Sequence, residues 1–180
     1  MTEIAYRRLE VVDLERLSEI DRTEAIDTLY VQRGAELEER SGGDWSAPPW
    51  FAEGAGEHSV AHQIEECERQ LAAGGIALGA FAGDRLVGIG IVTPHIRPGI
   101  AQLAYLHVSN GYRGSGVGGH LSDALEQVAR DGGDARIVVS ATPSLNTVRF
   151  YGRRGFQPMP EPLPELYERE PEDIHMEKSL

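Results

Sequence analysis

The sequence predicts an α/β (α+β) fold in which helices flank a mixed central β-sheet of about six to seven strands. Residues 103–133 join an apolar, β-prone segment to a glycine-rich loop and then to a helical segment. The apolar residues of the helical part recur with a period near 3.6, at Val117, Leu121, Ala124, Leu125 and Val128. Residues 136–141 form another β-prone run. A strand, a crossover helix and a parallel strand are therefore expected.

The N-terminal third alternates short regular elements with a long loop. Residues 4–12 predict an opening strand, and Asp13 is a suitable N-cap for a short helix over residues 14–20. Residues 25–40 have an apolar half, a central Arg-Gly turn and a charged half, which predicts a hairpin. Residues 41–57 have the glycine and proline content of a loop, and that loop also holds large aromatic side chains.

The middle of the chain predicts a helix and a hairpin before the central stretch. Residues 60–73 form an amphipathic helical segment that ends at two glycines. Residues 76–82 and 86–92 are β-prone and flank a Gly-Asp-Arg turn, which predicts a hairpin. Two prolines within residues 94–98 are expected to break the exit of its second strand. Residues 100–109 are the next predicted strand.

The C-terminal part predicts one more helix and a closing strand. The helix after the glycine-rich loop is expected over residues 117–130, and a short helix follows Ser144 and ends at Gly155. Residues 157–173 contain five prolines and many acids, so we expect mostly loop. Residues 174–180 complete the sheet, and their position at its open edge makes a homodimer plausible.

Composition limits the broad class of the protein. A chain of 180 residues with 41% hydrophobic residues is expected to fold as one domain over residues 1–180. No run has the length of a membrane span and the N-terminus has no apolar signal region, so a cytoplasmic protein without a membrane partner is expected. Cys67 is the only cysteine and lies in a polar helical segment, which favours a structural role. No metal site is predicted.

The charge is unevenly distributed. The net charge is −12; residues 1–70 carry 17 acids and 7 bases, residues 71–160 carry 5 and 8, and residues 161–180 carry 7 and 2. The central segment is therefore basic between two acidic flanks. This pattern disfavours a nucleic-acid partner and is consistent with a cationic acceptor near the flanks, although acidic surfaces also serve solubility.

The glycine-rich loop has the features of an anion-binding site. Glycines let backbone N–H groups approach a ligand closely, and the helix that follows presents unpaired N–H groups and a positive dipole end. Gly114, Gly116 and Gly119 formally match the dinucleotide pattern G-x-G-x-x-G. A dinucleotide fold also requires an acidic residue at the end of the next strand, where this chain has Ser140 and Thr142. No G-x-x-x-x-G-K-[ST] loop occurs either, so both nucleotide interpretations fail.

Two segments resemble motifs of the Gcn5-related N-acetyltransferase (GNAT) superfamily. Residues 113–118, Arg-Gly-Ser-Gly-Val-Gly, satisfy the motif A loop pattern R/Q-x-x-G-x-G/A, and residues 106–108 stand where that family has its cofactor strand. Residues 144–156 resemble motif B, with Asn146, a Phe-Tyr pair and a closing Gly-Phe in order. The resemblance covers residues 75–156 well and the first seventy poorly. It implies the GNAT fold, in which two central strands splay apart, with an additional hairpin and loop near residues 25–57.

The resemblance implies acetyl-CoA as the cofactor. Its pantetheine arm would lie between the splayed strands and pair with backbone groups of Leu106 and Val108, while an N–H at Leu106 or His107 would stabilise the oxyanion. The diphosphate would take N–H groups of the loop and the charge of Arg113. The implied cofactor-binding residues are Leu106, His107, Val108, Arg113, Gly114, Ser115, Gly116, Val117, Gly118, Gly119, Asn146 and Tyr151. Asn146 is also an ordinary polar residue for a helix start.

The resemblance also implies catalytic roles. Tyr151 matches the family tyrosine near the sulfur, the general acid to the departing thiolate; it is alternatively a core aromatic. The family glutamate that serves as base is replaced here by Gln102 or Ser140. His107 is then the nearest titratable group, with His95 behind it. Otherwise, water would relay the proton to a flank carboxylate such as Glu36 or Asp44.

The resulting functional expectation is an acetyl-CoA-dependent N-acetyltransferase that acts on a small-molecule or peptide amine. The family builds its acceptor pocket from variable N-terminal elements, so the loop aromatics Trp45, Trp50 and Phe51 either line that pocket or anchor the loop to the core. The alternative function is a non-catalytic acyl-CoA-binding regulatory domain of the same fold. The missing strand glutamate supports this alternative, and Tyr151 argues against it.

Overall fold

The computed structural model describes residues 3–180. The strands are β1 (Ile4–Leu9), β2 (Glu24–Ala25), β3 (Thr28–Arg33), β4 (Glu36–Ser41), β5 (Ser46–Ala47), β6 (Ile76–Ala82), β7 (Arg85–Arg97), β8 (Ile100–Val108), β9 (Arg136–Ala141), β10 (Gln157–Pro158) and β11 (Ile174–Ser179). The helices are α1 (Val60–Ala72), α2 (Val117–Asp131), α3 (Leu145–Arg153) and α4 (Pro164–Arg169). Two 3₁₀ helices span Val11–Glu19 and Asn110–Tyr112.

The main sheet has seven strands in the order β1-β6-β7-β8-β9-β11-β10. All its neighbours pair antiparallel except β8 and β9, which are parallel as expected for strands joined by the α2 crossover. These two central strands pair only from Ile100 with Arg136 to Gln102 with Val138. Beyond that point no β8–β9 pairing exists among the described residues. The central strands therefore splay apart, and the predicted fold class is confirmed.

Helices cover both faces of the sheet. On one face, α2 and α3 bury Leu125 and Val148 in a cluster with Ile137 of β9. On the other face, the first 3₁₀ helix and α1 pack against β6 and β7, and α4 packs against Val138 of β9 and Ile100 of β8. The alternation of side chains along β9 sends neighbouring residues to opposite faces, so one short strand supplies both layers of the core.

The close approach of α2 to β7 depends on small residues. A Cβ at Gly90 would lie 2.6 Å from the Cδ1 atom of Leu125, and one at Gly88 would lie 3.0 Å from the Cγ1 atom of Val117. The buried side chains of α2 therefore pack directly on the backbone of the sheet. This packing fixes the N-terminus of α2 beside the end of β8.

The predicted hairpin in the N-terminal third is formed by β3 and β4 around Gly34. It docks on the C-terminal half of the chain: Tyr30 donates its backbone N–H to the carbonyl of Pro143 at 2.8 Å. The side chain of Gln32 accepts the backbone N–H of His175 at 2.7 Å and donates to the carbonyl of Met159 at 2.8 Å. The insertion therefore lies against α3 and β11.

Three local expectations were wrong. The prolines do not end the second strand, because β7 continues to Arg97 through an irregularity in which His95 has φ +54° and its N–H is accepted by Asp134 at 3.1 Å. The proline-rich tail contains α4 and β10, since a proline at the first turn of α4 is compatible with a helix. The last strand, β11, is internal between β9 and β10, so it gives no open edge for a dimer.

In the part of the chain that the structure describes, no helix is both long and apolar enough to cross a membrane.

Candidate active site

The glycine-rich loop ends at the N-terminus of α2, close to the splayed end of β8. Gly114 and Gly116 adopt left-handed φ values of +75° and +93°, which a glycine accepts without strain. The first backbone bond of α2 runs from the N–H of His120 to the carbonyl of Gly116 at 2.9 Å. Within residues 3–180, the N–H groups of residues 114–119 have no hydrogen-bond acceptor. These N–H groups and the dipole of the 15-residue helix α2 form a site suited to a diphosphate.

The side chains of the loop mostly contact protein. The Ser115 hydroxyl donates to the carbonyl of Tyr112 at 2.6 Å, so it shapes the loop. Val117 is 2% exposed and packs in the core. A Cβ at Gly118 would lie 3.4 Å from Phe150 and one at Gly119 would lie 3.2 Å from Arg154. The backbone N–H groups of the loop are therefore its principal binding groups.

Arg113 points away from the unpaired N–H groups. Its guanidinium donates to the backbone carbonyls of Arg22 and Thr23, both at 3.0 Å, and its Nε donates to the carbonyl of Val108 at 3.1 Å. The Oε2 atom of Glu24 lies 3.5 Å from the same guanidinium. Arg113 thus ties the end of β8 to residues 22–24. A direct phosphate contact from Arg113 stays a prediction, and it would require these bonds to open.

Asn146 lies in the same network. Its side-chain amide donates to the Oε1 atom of Glu24 at 2.9 Å, so Glu24 connects the motif B helix with Arg113. The helix N-cap is Ser144, which is 1% exposed and accepts the backbone N–H of Thr147 at 3.3 Å. Ser144 is therefore the residue that caps the start of α3. Asn146 instead holds the N-terminal segment in place through its bond with Glu24.

The backbone of β8 presents two predicted residues to the gap between the central strands. Ser109 donates its N–H to the carbonyl of Val87 on β7 at 2.9 Å, and antiparallel pairing alternates every two residues. His107 therefore turns its N–H towards β7, whereas Leu106 and Val108 turn their backbone groups towards the gap. Of the two predicted oxyanion donors, the geometry favours the N–H of Leu106.

His107 lies on the opposite face of β8 from α2. Its ring is 5.0 Å from that of Trp50 in an edge arrangement and 4.7 Å from that of Tyr105. Burial lowers the pKa of His107 to about 3, and the charges of Arg22 and Arg113 act in the same direction. A group that is neutral and weakly basic near pH 7 is a poor general base. The structure therefore does not favour that predicted role.

Tyr151 lies in α3 with its ring between those of Phe150 and Phe156, at 5.0 and 5.3 Å. The residue is 5% exposed, and its hydroxyl makes no hydrogen bond to another residue within 3–180. Burial raises the pKa of Tyr151 well above its usual range, so the phenol keeps its proton. A protonated hydroxyl without a partner in the described chain can donate to a ligand, and the role of Tyr151 as general acid stays a prediction.

The other predicted residues divide between the core and the surface. Trp50 is 8% exposed in the core, with an indole N–H that has no partner in the described chain, while Trp45 and Phe51 are exposed. Trp50 is therefore an anchor that also contacts His107. His95, the second histidine considered as a base, is hydrogen-bonded to the buried Asp134 at 2.9 Å, at the end of β8 where the two central strands are still paired. It does not face the gap.

Two groups of residues near the gap were missed from the sequence. The segment that contains Asp21 and Arg22 is tied to the end of β8, because Asp21 accepts the N–H of Asn110 at 2.7 Å. After α4, Glu170 and Asp173 lie beside Ser140 and Tyr151. The tail sequence gave one signal for these two residues, namely its density of acids.

A splayed pair of parallel strands, an N–H-lined loop at a helix N-terminus and a tyrosine on the following helix are the features that the GNAT class of fold predicts. The sequence profile described as the acetyltransferase (GNAT) family matches residues 41–156, more than half of the chain. The chain therefore belongs to the GNAT acetyltransferase family, whose acetyl donor is acetyl-CoA. The expected resemblance is confirmed.

Similar proteins agree with this assignment. The chain is 31% identical over 81 residues to the uncharacterized N-acetyltransferase YjcF of Bacillus subtilis (strain 168), which covers 45% of this chain and 55% of that protein. The structure resembles that of nourseothricin acetyltransferase, with a TM-score of 0.72, 18% identity and 98% of each chain covered. It also resembles the PaiA N-acetyltransferase from Thermoplasma acidophilum in complex with coenzyme A, with a TM-score of 0.62, 21% identity and 99% of each chain covered.

Proposed function

We propose that this protein transfers the acetyl group of acetyl-CoA to a primary amine. The observation that carries the proposal is the alignment of two sets of unpaired backbone groups. The N–H groups of residues 114–119 lie at the start of α2, and the backbone of Leu106 and the N–H of Val108 face the adjoining gap. A long ligand with a diphosphate at one end and an amide-containing arm matches both sets.

The protein residues have separate roles in this proposal. Acetyl-CoA supplies a thioester whose carbonyl carbon accepts the amine nitrogen. The N–H of Leu106 stabilises the negative charge that develops on the carbonyl oxygen, and Tyr151 donates its proton to the departing sulfur. The polar contacts of Arg113 and Asn146 with Glu24 hold the loop and the motif B helix in register. The binding energy of acetyl-CoA then holds its thioester at one fixed position for attack by the amine.

The acceptor is proposed to be a cationic small-molecule or peptide amine. The acidic flanks of the chain and the carboxylates after α4 favour a positive charge near the gap. Nourseothricin acetyltransferase is named for its acceptor, so nourseothricin is a reasonable first member of an acceptor panel. A diamine and a lysine-containing peptide extend the panel to other primary amines.

The alternative is a binding domain that holds acyl-CoA without turnover. It is favoured by the absence of a carboxylate from the described residues of β8 and β9, where Gln102 and Ser140 stand. The experiment that separates the two follows free thiol release from acetyl-CoA with nourseothricin, 1,4-diaminobutane and the peptide. Time-dependent CoA release with an amine, together with the acetylated amine in the mass spectrum, supports transfer. Binding of acetyl-CoA without release for any amine would refute it in favour of the binding domain.

A further inference from the structure

The proposed reaction needs a group that accepts the proton of the acceptor amine, and β8 and β9 supply none. His107 is a poor candidate, and Gln102 and Ser140 do not accept protons near pH 7. At the end of β8, Asp21 is bonded by Thr23, and Glu24 is bonded by Asn146 and Arg113. The carboxylates near the splayed end that form no ion pair in the described chain belong to the segment between α4 and β11.

Ser140 connects this segment to the splayed part of β9. It lies two residues beyond the last paired position of β9, Val138, and its hydroxyl is 3.2 Å from the Nδ1 atom of His175 on β11. The Nε2 atom of His175 is 3.1 Å from the carbonyl oxygen of Glu170, so His175 links Ser140 to Glu170. Asp173 donates its backbone N–H to the carbonyl of Glu170 at 3.2 Å. Both carboxylates are thus attached to the open end of β9.

The ionisable groups around Glu170 and Asp173 come from three helices, α1, α3 and α4. Asp173 lies near Tyr151 of α3 and near Glu170. Glu170 in turn lies near Glu66 of α1, which pairs with Arg69, and near Arg169 of α4. Within residues 3–180, neither Asp173 nor Glu170 forms an ion pair. The site therefore combines two carboxylates that form no ion pair with Tyr151, a residue that is 5% exposed and whose hydroxyl has no partner in the described chain.

Building on the proposed function, we infer that Asp173 accepts the proton of the acceptor ammonium and that Glu170 holds the acceptor beside it. Two neighbouring carboxylates that form no ion pair within residues 3–180 attract an ammonium group. Tyr151 packs in the same buried cluster as Ile174, the residue that follows Asp173, and the charge of Asp173 acts on the Tyr151 phenol, so the proton acceptor lies in the neighbourhood of the proton donor. The site therefore favours an amine that enters as a cation.

The proton transfers balance over the reaction. The N–H bond of the ammonium breaks, its electron pair stays on nitrogen, and the proton forms an O–H bond with Asp173. The nitrogen lone pair then forms the C–N bond, and the C–S bond breaks with its electron pair on sulfur. Sulfur takes the proton of Tyr151, whose oxygen regains a proton from the second N–H of the amine. Asp173 releases its proton to the solvent.

The electrostatics of the site match this role. Burial raises the pKa of Asp173 to about 7, and the neighbouring charge of Glu170 acts in the same direction. Partial burial also raises the pKa of Glu170, although this residue stays exposed to solvent and the nearby Ser140 hydroxyl and the charge of Arg169 oppose the shift. A base with a pKa near the working pH removes a proton most effectively.

The test combines a rate measurement with a readout that needs no turnover. With nourseothricin or 1,4-diaminobutane as the acceptor, we expect Asp173→Asn to lower kcat/KM for the amine about 10²-fold and to remove the rising limb of the pH profile near pH 7. Glu172→Gln, at an exposed neighbouring residue, is the matched control and should leave both unchanged. In the free protein, ¹³C NMR of the aspartate carboxyls should show one titration near pH 7 that is missing in Asp173→Asn.

Three results would overturn the role of Asp173. The first is a titration midpoint near pH 4 for the Asp173 carboxyl. The second is an Asp173→Asn variant with the kcat/KM and pH profile of the parent, and the third is an equally large loss of kcat/KM in Glu172→Gln. If amines are still acetylated in these cases, the proposed function stands and only this inference falls. A protein that binds acetyl-CoA and acetylates none of the panel amines would instead refute the proposed function itself, whatever the titration of Asp173.

Discussion

Replacing Gly116 by aspartate and by asparagine separates backbone strain from charge in the diphosphate site. Gly116 has φ +93°, and a Cβ built there meets no atom within 4 Å. Both side chains therefore fit, and both carry the strain of a left-handed backbone, which costs on the order of 1–2 kcal/mol and least for asparagine and aspartate. We expect the free energy of unfolding to fall by about 1 kcal/mol in both variants.

The two variants should differ in acetyl-CoA binding. Only aspartate adds a negative charge at the centre of the loop, and two unit charges roughly 6 Å apart at an effective dielectric constant of about 20 repel by about 3 kcal/mol. This corresponds to a dissociation constant about 10²-fold higher for Gly116→Asp than for Gly116→Asn, a ratio that shrinks as salt is added. Isothermal titration with coenzyme A at two salt concentrations measures it. Equal affinities in the two variants would contradict a diphosphate at this loop.

Three further predictions concern the framework of the site. Glu126, whose side chain is 3% exposed, bonds Lys178 at 2.5 Å, so Glu126→Gln should cost about 3–5 kcal/mol of unfolding free energy in urea. Asp123→Asn, at a side chain that is 71% exposed, should cost under about 1 kcal/mol, and equal losses would refute the argument. The lysine in Arg113→Lys cannot make all three carbonyl contacts, so the free energy of unfolding in urea should fall by about 1–2 kcal/mol. An unchanged urea midpoint would show that those contacts do not stabilise the fold. The pKa of His107 is about 3 in the folded protein and 6.5 in the unfolded chain. The unfolded state therefore binds a proton first, and the free energy of unfolding falls as the pH drops from about 6.5 to 3. His107→Gln should lose less stability over that range, and a slope equal to that of the parent in unfolding experiments would count against the buried neutral imidazole.

The sequence was most informative where the local pattern and the tertiary role coincide. β9 forms over Arg136–Ala141, as its β-prone run predicts, and α2 spans Val117–Asp131, within one residue of the expected helix. Both are buried elements whose apolar periodicity reflects the faces that they pack. The prediction was wrong at Pro94, because the irregular pairing of β7 accommodates a residue that a regular central strand excludes. Composition alone does not reveal such an irregularity.

The candidate site was predictable in its backbone and less so in its side chains. The N–H groups after Arg113 follow from glycines before a helix, a local property of the sequence. The partners of Arg113 and Asn146 are not local, since both contact Glu24, about 90 and 122 positions away. Only the docking of residues 22–24 on the end of β8 creates these contacts. A motif therefore locates the cofactor loop but does not show which of its charged side chains remain free.

The same reasoning explains why the proton acceptor had to be sought outside the motifs. A general base must reach the acceptor amine, and the carboxylates proposed for this role lie on a connecting segment rather than in either motif. Asp173 is separated from Tyr151 by a helix and a short strand, yet the antiparallel pairing of Ile174 with Ala141 returns it to the splayed end of β9. Its position is fixed by the register of β11, since a shift of one residue would turn the preceding loop away from the gap. The position of Asp173 therefore depends on the pairing of the sheet, just as the position of the glycine-rich loop depends on the packing of α2.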